Sequence, residues 1–272
     1  MKGKIILGII IVIAIIAGGI IVISRIGTKE KGDSLERILN KGTFVLGLDD
    51  SFPPMGFRNE DNKIVGFDID VAEEVSKRLG VELVLQPISW TAKEQELNSY
   101  NIDCIWNGMS VNNERKEKMS LSMSYLKNSM SFVVKKDSQV TNLESLKGKK
   151  IGVQSGSTAE EILKQSEIYS EIDEIISYSD NITAFMDLEI NQIDSVLLDN
   201  VVANYYISSN IKPYKVLEES LQDEEYAIGF RKQDIELCNK VNEILLDMKK
   251  DGSLEQISTK WFGKNITIIE EK

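Results

Sequence analysis

The sequence predicts an α/β body built from two similar halves, on three observations. Candidate strands and helices alternate along most of the 272 residues. The alternation begins a second time near Lys150. The helical stretches place apolar residues on one face, as at Val71, Ala72, Val75 and Leu79, the spacing of a helix lying against a core. Alternation of this kind favours parallel sheets covered by helices.

The elements follow in order. Thr43–Leu48 is a strand. Residues 49–57 read as a loop, because Pro53, Pro54 and Gly56 interrupt any regular element. Ile64–Phe67 re-enters the fold, and Asp70 is placed to cap the helix that carries Val71 to Leu79, with Gly80 at its end. Val81–Leu85 is the next strand, so the stretch is a β-α-β unit. A helix over Ala92–Leu97 and a strand over Ile102–Trp106 lead into the loop 107–114. Ser129–Val134 is extended and apolar. The second series runs through strands at Lys150–Val153, Glu174–Tyr178 and Ile193–Leu197, with helices at Thr158–Lys164, Ile182–Glu189 and Val201–Tyr206 between and after them. Glu225–Phe230 is a second extended crossing. Glu236–Lys249 is a helix, and Ser253 with Gln256 has the pattern of a capping box for the last one.

Residues 5–23 are different material. They form an apolar run with no polar side chain, flanked by Lys2 and Lys4 and by Arg25, Lys29 and Lys31. As a helix this run nearly crosses a bilayer core. A cleaved signal has a shorter apolar region ending in a small-residue site. Here Ala17, Gly18 and Gly19 sit inside the run, so residues 1–24 are expected to be a hydrophobic membrane anchor in preference to a signal. Residues 25–35 read as a polar tether.

Composition removes several functions. A formal net charge of −11 argues against nucleic acid, which attracts a basic footprint. The chain has no histidine, so the usual zinc ligand, the commonest general base and the Ser-His-Asp relay are missing together. No cofactor and no metal are expected. Cys104 and Cys238 are the only thiols. Both lie in apolar patterns and are expected buried and unpaired, with a disulfide left open by an extracellular setting.

Six motifs then stand in order. They are Gly47-Leu-Asp-Asp-Ser-Phe-Pro-Pro54, Gly66-Phe-Asp-Ile-Asp70, Gly108-Met-Ser-Val-Asn-Asn-Glu-Arg115, Gly152-Val-Gln-Ser-Gly156, the stretch from Asp194 to Asp199, and Asp251-Gly-Ser running to Trp261-Phe-Gly263. Each is weak alone. As an ordered set the chain resembles the polar amino-acid-binding proteins of ABC importers, from about Gly42 to Gly263. That resemblance implies the two-lobed periplasmic-binding-protein-like type II fold with two hinge crossings. Lobe 1 would comprise 36–128 and 230–265, lobe 2 would comprise 134–225, and the hinges would lie at 129–133 and 226–229. It implies a monomer that is not an enzyme, works at the outer face of the cell membrane, and delivers a free amino acid to ABC permease subunits. The rival readings are a dehydratase-like enzyme on the same fold and a ligand-sensing domain.

The resemblance also implies a set of ligand-binding residues. Arg115 would clamp the α-carboxylate, a planar guanidinium against a planar carboxylate, helped by Ser110 and the backbone N–H groups of the Gly108 loop. A solvated arginine in a charged run is the alternative. Asp199 would receive the α-ammonium or cap the following helix. Asp49 would face the ligand or steady the Pro53-Pro54 loop. Phe52 and Trp90 would form aromatic walls, and Trp106 would line the cleft base or fill the core. Gln154, Ser157 and Thr158 would come from the second lobe, or Ser157 and Thr158 would simply start a helix. A neutral Gln154 favours a polar or neutral ligand side chain over an acidic one.

Overall fold

The computed structural model describes residues 33–210 and 213–270. The expected anchor at 1–24 and the tether up to residue 32 lie outside the described residues. The chain enters the fold on helix α1 (Ser34–Lys41), which starts inside the expected tether. Asp33 accepts from Leu35 N at its start, and Gly42 ends it in the left-handed conformation. Strand β1 (Thr43–Leu48) follows.

The expected loop at 49–57 is a small antiparallel sheet instead. Its strands are β2 (Ser51–Phe52), β3 (Gly56–Arg58) and β4 (Ile64–Val65), in that order. The Pro53-Pro54 turn brings Met55 N onto Phe52 O, and Ser51 then pairs with Phe57. Helix α2 (Phe67–Leu79) starts at Gly66 with no side-chain cap. The expected Asp70 cap is thus corrected. Burial of Phe67 and Ile69 in the core draws the first turn forward, and Asp70 accepts from Lys260 Nζ and Trp261 Nε1 instead.

Strand β5 (Glu82–Pro87), a short 3-10 turn at Trp90–Ala92, helix α3 (Lys93–Asn98), strand β6 (Cys104–Ile105), helix α4 (Asn113–Lys118) and strand β7 (Met119–Leu121) complete the first series. Strand β8 (Leu126–Lys135) carries the chain onward. The second series is β9 (Lys150–Gln154), α5 (Thr158–Gln165), β10 (Glu174–Tyr178), α6 (Asn181–Glu189), β11 (Ser195–Asp199), α7 (Asn200–Asn210) and β12 (Tyr214–Tyr226). The chain then returns through β13 (Gly229–Arg231), α8 (Ile235–Lys250) and α9 (Ser253–Phe262). Val241, Ile244, Leu245 and Met248 of α8 are all buried, as their spacing predicts. The capping box at Ser253 does not form. Gly252 precedes the helix with no side-chain cap, and Ser253 Oγ donates to Asp251 Oδ1.

The two large sheets repeat one plan. The first has the order β5-β1-β6-β13-β7 and the second β10-β9-β11-β8-β12. In each, the first three strands are parallel and the last two run antiparallel to their neighbours. β13 belongs to the first sheet although it follows the second in the chain. Residues 129–133, expected as a crossing, include Met130–Val133, which pair with β11 inside the second sheet. The ribbon joining the sheets pairs Leu126–Ser129 with Asp223–Tyr226. Both thiols are buried and free.

Candidate functional site

Parallel strands in α/β sheets present their carboxyl ends to a crevice, and that is where ligands settle. Here the carboxyl ends of both sheets face one cavity. It is lined by Asp49, Phe52, Trp90, Asn107, Gly108, Ser110, Arg115, Met130, Gln154, Ser157, Thr158 and Asp199. Asp49 follows β1, Trp90 follows β5, and Asn107 to Ser110 follow β6. Gln154 ends β9, and Asp199 ends β11. All ten residues singled out in the sequence lie on this one wall. Trp106 does not. It is fully buried beside Tyr125 and belongs to the core.

Arg115 is only 5% exposed and Asp199 only 6%, so the solvated alternative for Arg115 does not hold. The guanidinium reaches its place because Asn112 caps α4 by accepting from Arg115 N at 2.8 Å. Arg115 Nη1 donates to Ser110 O at 2.6 Å. Burial pushes the pKa of this arginine below its ordinary value, against the pull of Glu224, Glu161 and Asp199. Asp199 is pushed up by burial, while Tyr226 Oη donates to its Oδ1 at 2.5 Å and Asn128 Nδ2 at 2.8 Å. Val201 N, at the start of α7, donates to Asn128 Oδ1.

The Gly108 loop differs from expectation. Gly108 has φ +57°, and a Cβ there would lie 2.9 Å from the Phe52 ring, so only glycine fits. Its N–H donates to the fully buried Asp68 at 2.7 Å. The expected use of that N–H for a ligand carboxylate is thereby corrected: Asp68, under the loop, already takes it. Burial pushes the Asp68 carboxyl up to about 7. Ser110 Oγ donates to Glu224 Oε1 at 3.0 Å.

Asp49 does two things at once. Its Oδ1 accepts from Ser51 N and Oγ, which steadies the turn toward Pro53-Pro54. Its Oδ2 accepts from Gln154 Nε2 of the other sheet at 2.6 Å. Burial raises its pKa. Ser157 caps α5, accepting from Glu160 N. Two lining atoms, Asn107 Nδ2 and Thr158 Oγ1, are buried with no hydrogen-bond partner among the described residues. Such groups are costly unless something supplies a partner.

Further contacts tie the two halves together. Lys93 Nζ, beside the Trp90 ring, donates to Trp90 O and across to Gly156 O at 3.1 Å. Burial, then the charge of Arg115, lowers this lysine to about 8. Asn112 Nδ2 donates to Glu161 Oε2. At the rim, the Phe57 ring of β3 meets Tyr205 of α7 and Trp261 of α9, each at 5.9 Å between centroids. Sequence reasoning missed Asn107, Met130, Lys93, Asn128, Glu224 and Tyr226. Asn107 was within reach, since it follows a strand directly. Lys93 follows Trp90 by three residues and touches it locally, while the rest meet the site only through strand pairing and the approach of the two halves, which no local pattern encodes.

Residues 44–264 match the model of the bacterial extracellular solute-binding proteins, family 3. The chain belongs to that family. Among relatives of family 3, the chain is 33% identical over 235 residues to the L-cystine-binding protein TcyJ of Escherichia coli K12, covering 86% of this chain and 87% of that one. It is 31% identical over 225 residues to the arginine-binding extracellular protein ArtP of Bacillus subtilis, covering 82% and 87%. Its fold superposes with a TM-score of 0.84 on an ABC uptake transporter substrate-binding protein from Streptococcus pneumoniae with bound histidine, at 38% identity, covering 87% of this chain and 98% of that one. As a member of family 3 the chain is a non-catalytic, two-lobed binding component of an ABC importer, and it works outside the cytoplasm. Among the described residues, no helix is long and apolar enough to cross a membrane.

Proposed function

We propose that this amino-acid-binding component takes up a free L-amino acid with a polar or neutral side chain, in preference to an acidic one, and presents it to the permease by closing its lobes. Arg115 receives the α-carboxylate with Ser110 and Thr158, and Asp199 receives the α-ammonium. Phe52 and Trp90 hold the aliphatic part. Asp49 and Gln154 meet the far end of the side chain. One observation carries this reading: a guanidinium and a carboxylate from opposite halves of the chain's fold, both nearly buried, line the same small cavity. A zwitterion is the ligand that offers each its complement.

The side-chain preference rests on Asp49, a carboxylate at the end where an acidic side chain would have to lie. The relatives named for cystine, arginine and histidine fit the same preference. The lobes are residues 36–128 with 230–265 and residues 134–225, bending at the ribbon between the sheets, and the apolar run 5–23 tethers a monomeric body to the outer membrane face. A thermal-shift screen of the L-amino acids and cystine tests the central reading. A ligand at a hundred times its Kd adds about 2.7 kcal/mol of stability, so at least one polar amino acid should raise the melting temperature by several degrees. The largest shift coming from glutamate or aspartate would overturn the preference.

A further inference from the structure

We propose that Asp199 and Glu224 form a carboxyl pair that shares one proton in the empty cleft and releases it when the α-ammonium arrives, so that amino-acid capture depends on pH. This rests on the reading of Asp199 as the ammonium acceptor.

Glu224 lies on β12 in the ribbon between the lobes, opposite Asn128 of β8. It is 8% exposed. Asn128 Nδ2 donates to both acids, at 2.8 Å to Asp199 Oδ1 and 2.6 Å to Glu224 Oε1. That single shared donor holds the two carboxyl groups side by side, within hydrogen-bond reach of each other. Glu224 Oε1 also takes Ser110 Oγ, but Oε2 is buried and meets no donor among the described residues. A carboxylate oxygen so placed is costly. A proton on Glu224 removes one of the two like charges and turns its carboxyl into a donor beside the Asp199 carboxylate.

The charges around the pair agree. Arg115 is the cation that acts on both acids. Tyr226, from β12 itself, donates to Asp199. Lys127, across the ribbon, pairs with Glu225 and is exposed, as is Asp223. One buried guanidinium therefore faces two buried carboxyls, and two like charges in contact do not both ionise readily. Burial and the Asp199 charge push Glu224 up to about 8. An arriving ammonium lies closer to the pair than its own carboxylate does, so it favours loss of the shared proton to solvent. By linkage, affinity then rises with pH toward that value.

Carbon-13 carboxyl NMR on the full chain in detergent reads the pair without any amino acid. One carboxyl step should titrate near 8, and E224Q and D199N should each remove it. Titration of Glu224 in the ordinary range, near 4, overturns the proposal. Calorimetry with L-arginine and L-cystine, in buffers of different ionisation enthalpy near pH 7.5, is the second arm. The wild-type chain should release protons on binding. E224Q, which has no proton to lose, should release none. Proton release by E224Q equal to that of the wild-type chain would overturn the proposal. Unchanged affinity in D199N would instead sink the ammonium reading of Asp199, leaving the NMR result to judge the shared proton.

Discussion

Two buried clusters of charge sit in this protein, and they are balanced differently. At the foot of the first lobe, Arg231 is almost wholly buried. Its Nη1 donates to Leu97 O and Ile102 O, its Nη2 to Asp103 Oδ1, and its Nε lies 2.6 Å from Asp234 Oδ2. Arg37 and Lys41 close the same two aspartates from the surface, and Tyr100 lies over the guanidinium of Arg231. Every carboxylate there has a cation. In the cleft, Arg115 faces both Asp199 and Glu224, and Asn107 Nδ2, Thr158 Oγ1 and Glu224 Oε2 are left without hydrogen-bond partners among the described residues. The orphan in the first cluster, Arg231 Nε, makes no well-aligned hydrogen bond but still lies in an ion pair with Asp234, and a cluster whose charges answer one another is cement. A cluster short of partners is a site, because a ligand can complete it.

Substitutions in the two clusters should have opposite signatures. Arg231→Ala should cost the most, about 3–5 kcal/mol of stability, because it removes the buried cation held between two buried aspartates and leaves Arg37 and Lys41, nearer the surface, to face them. Urea unfolding measures it, and the surviving folded fraction should bind amino acid as before. Loss of binding in a stably folded Arg231→Ala protein would erase the distinction. Arg115→Ala should do the reverse. Binding should weaken by about 2–5 kcal/mol in calorimetry, with the unfolding midpoint nearly unchanged. Asp49→Asn should weaken binding of a donor-bearing side chain by about 1.5–3 kcal/mol, the range for hydrogen bonds to charged groups.

A pH effect on the fold comes next, from Asp68. Its carboxyl stands near 7 when folded, against an ordinary value of 3.8. Between these values the folded chain keeps a proton that the unfolded chain has lost. Raising the pH therefore favours unfolding, and this contribution to stability falls from about pH 4 to about pH 7 by no more than about 1.4 kcal/mol per unit. Asp68→Asn should remove that slope in urea midpoints measured across the window. The smallest effect belongs to Lys93→Met. It removes a bond across the lobes to Gly156 O, and calorimetry should show affinity down by about 0.5–1.5 kcal/mol.

The sequence made the α/β alternation, the buried face of α8 and ten of the twelve lining residues legible, because each is written in local spacing or in an ordered resemblance. Asp70 shows where local rules fail. It has the right chemistry for a cap, but burial of Phe67 and Ile69 moved the helix start ahead of it. Ser253 failed likewise, with Gly252 taking the turn. Glu224 and Asn128 were illegible for another reason. They are ordinary polar residues on two strands far apart in sequence, and only the ribbon pairing sets them beside Asp199. Arg231 was hidden in the same way, since its aspartates come from elements on either side of the second series.

The rim contact of Phe57 with Tyr205 and Trp261 has a practical outcome. Tyr205 rides on one lobe and the other two rings on the other, so an opening of the lobes would draw Tyr205 off the Phe57 ring that also packs against the Trp261 indole. Trp90 lies in the wall of the same gap, whereas Trp106 is sealed in the core. The molecule therefore has built-in optical gauges. Emission from two of its indoles should follow the stroke in real time while the third supplies a steady reference, with no dye attached.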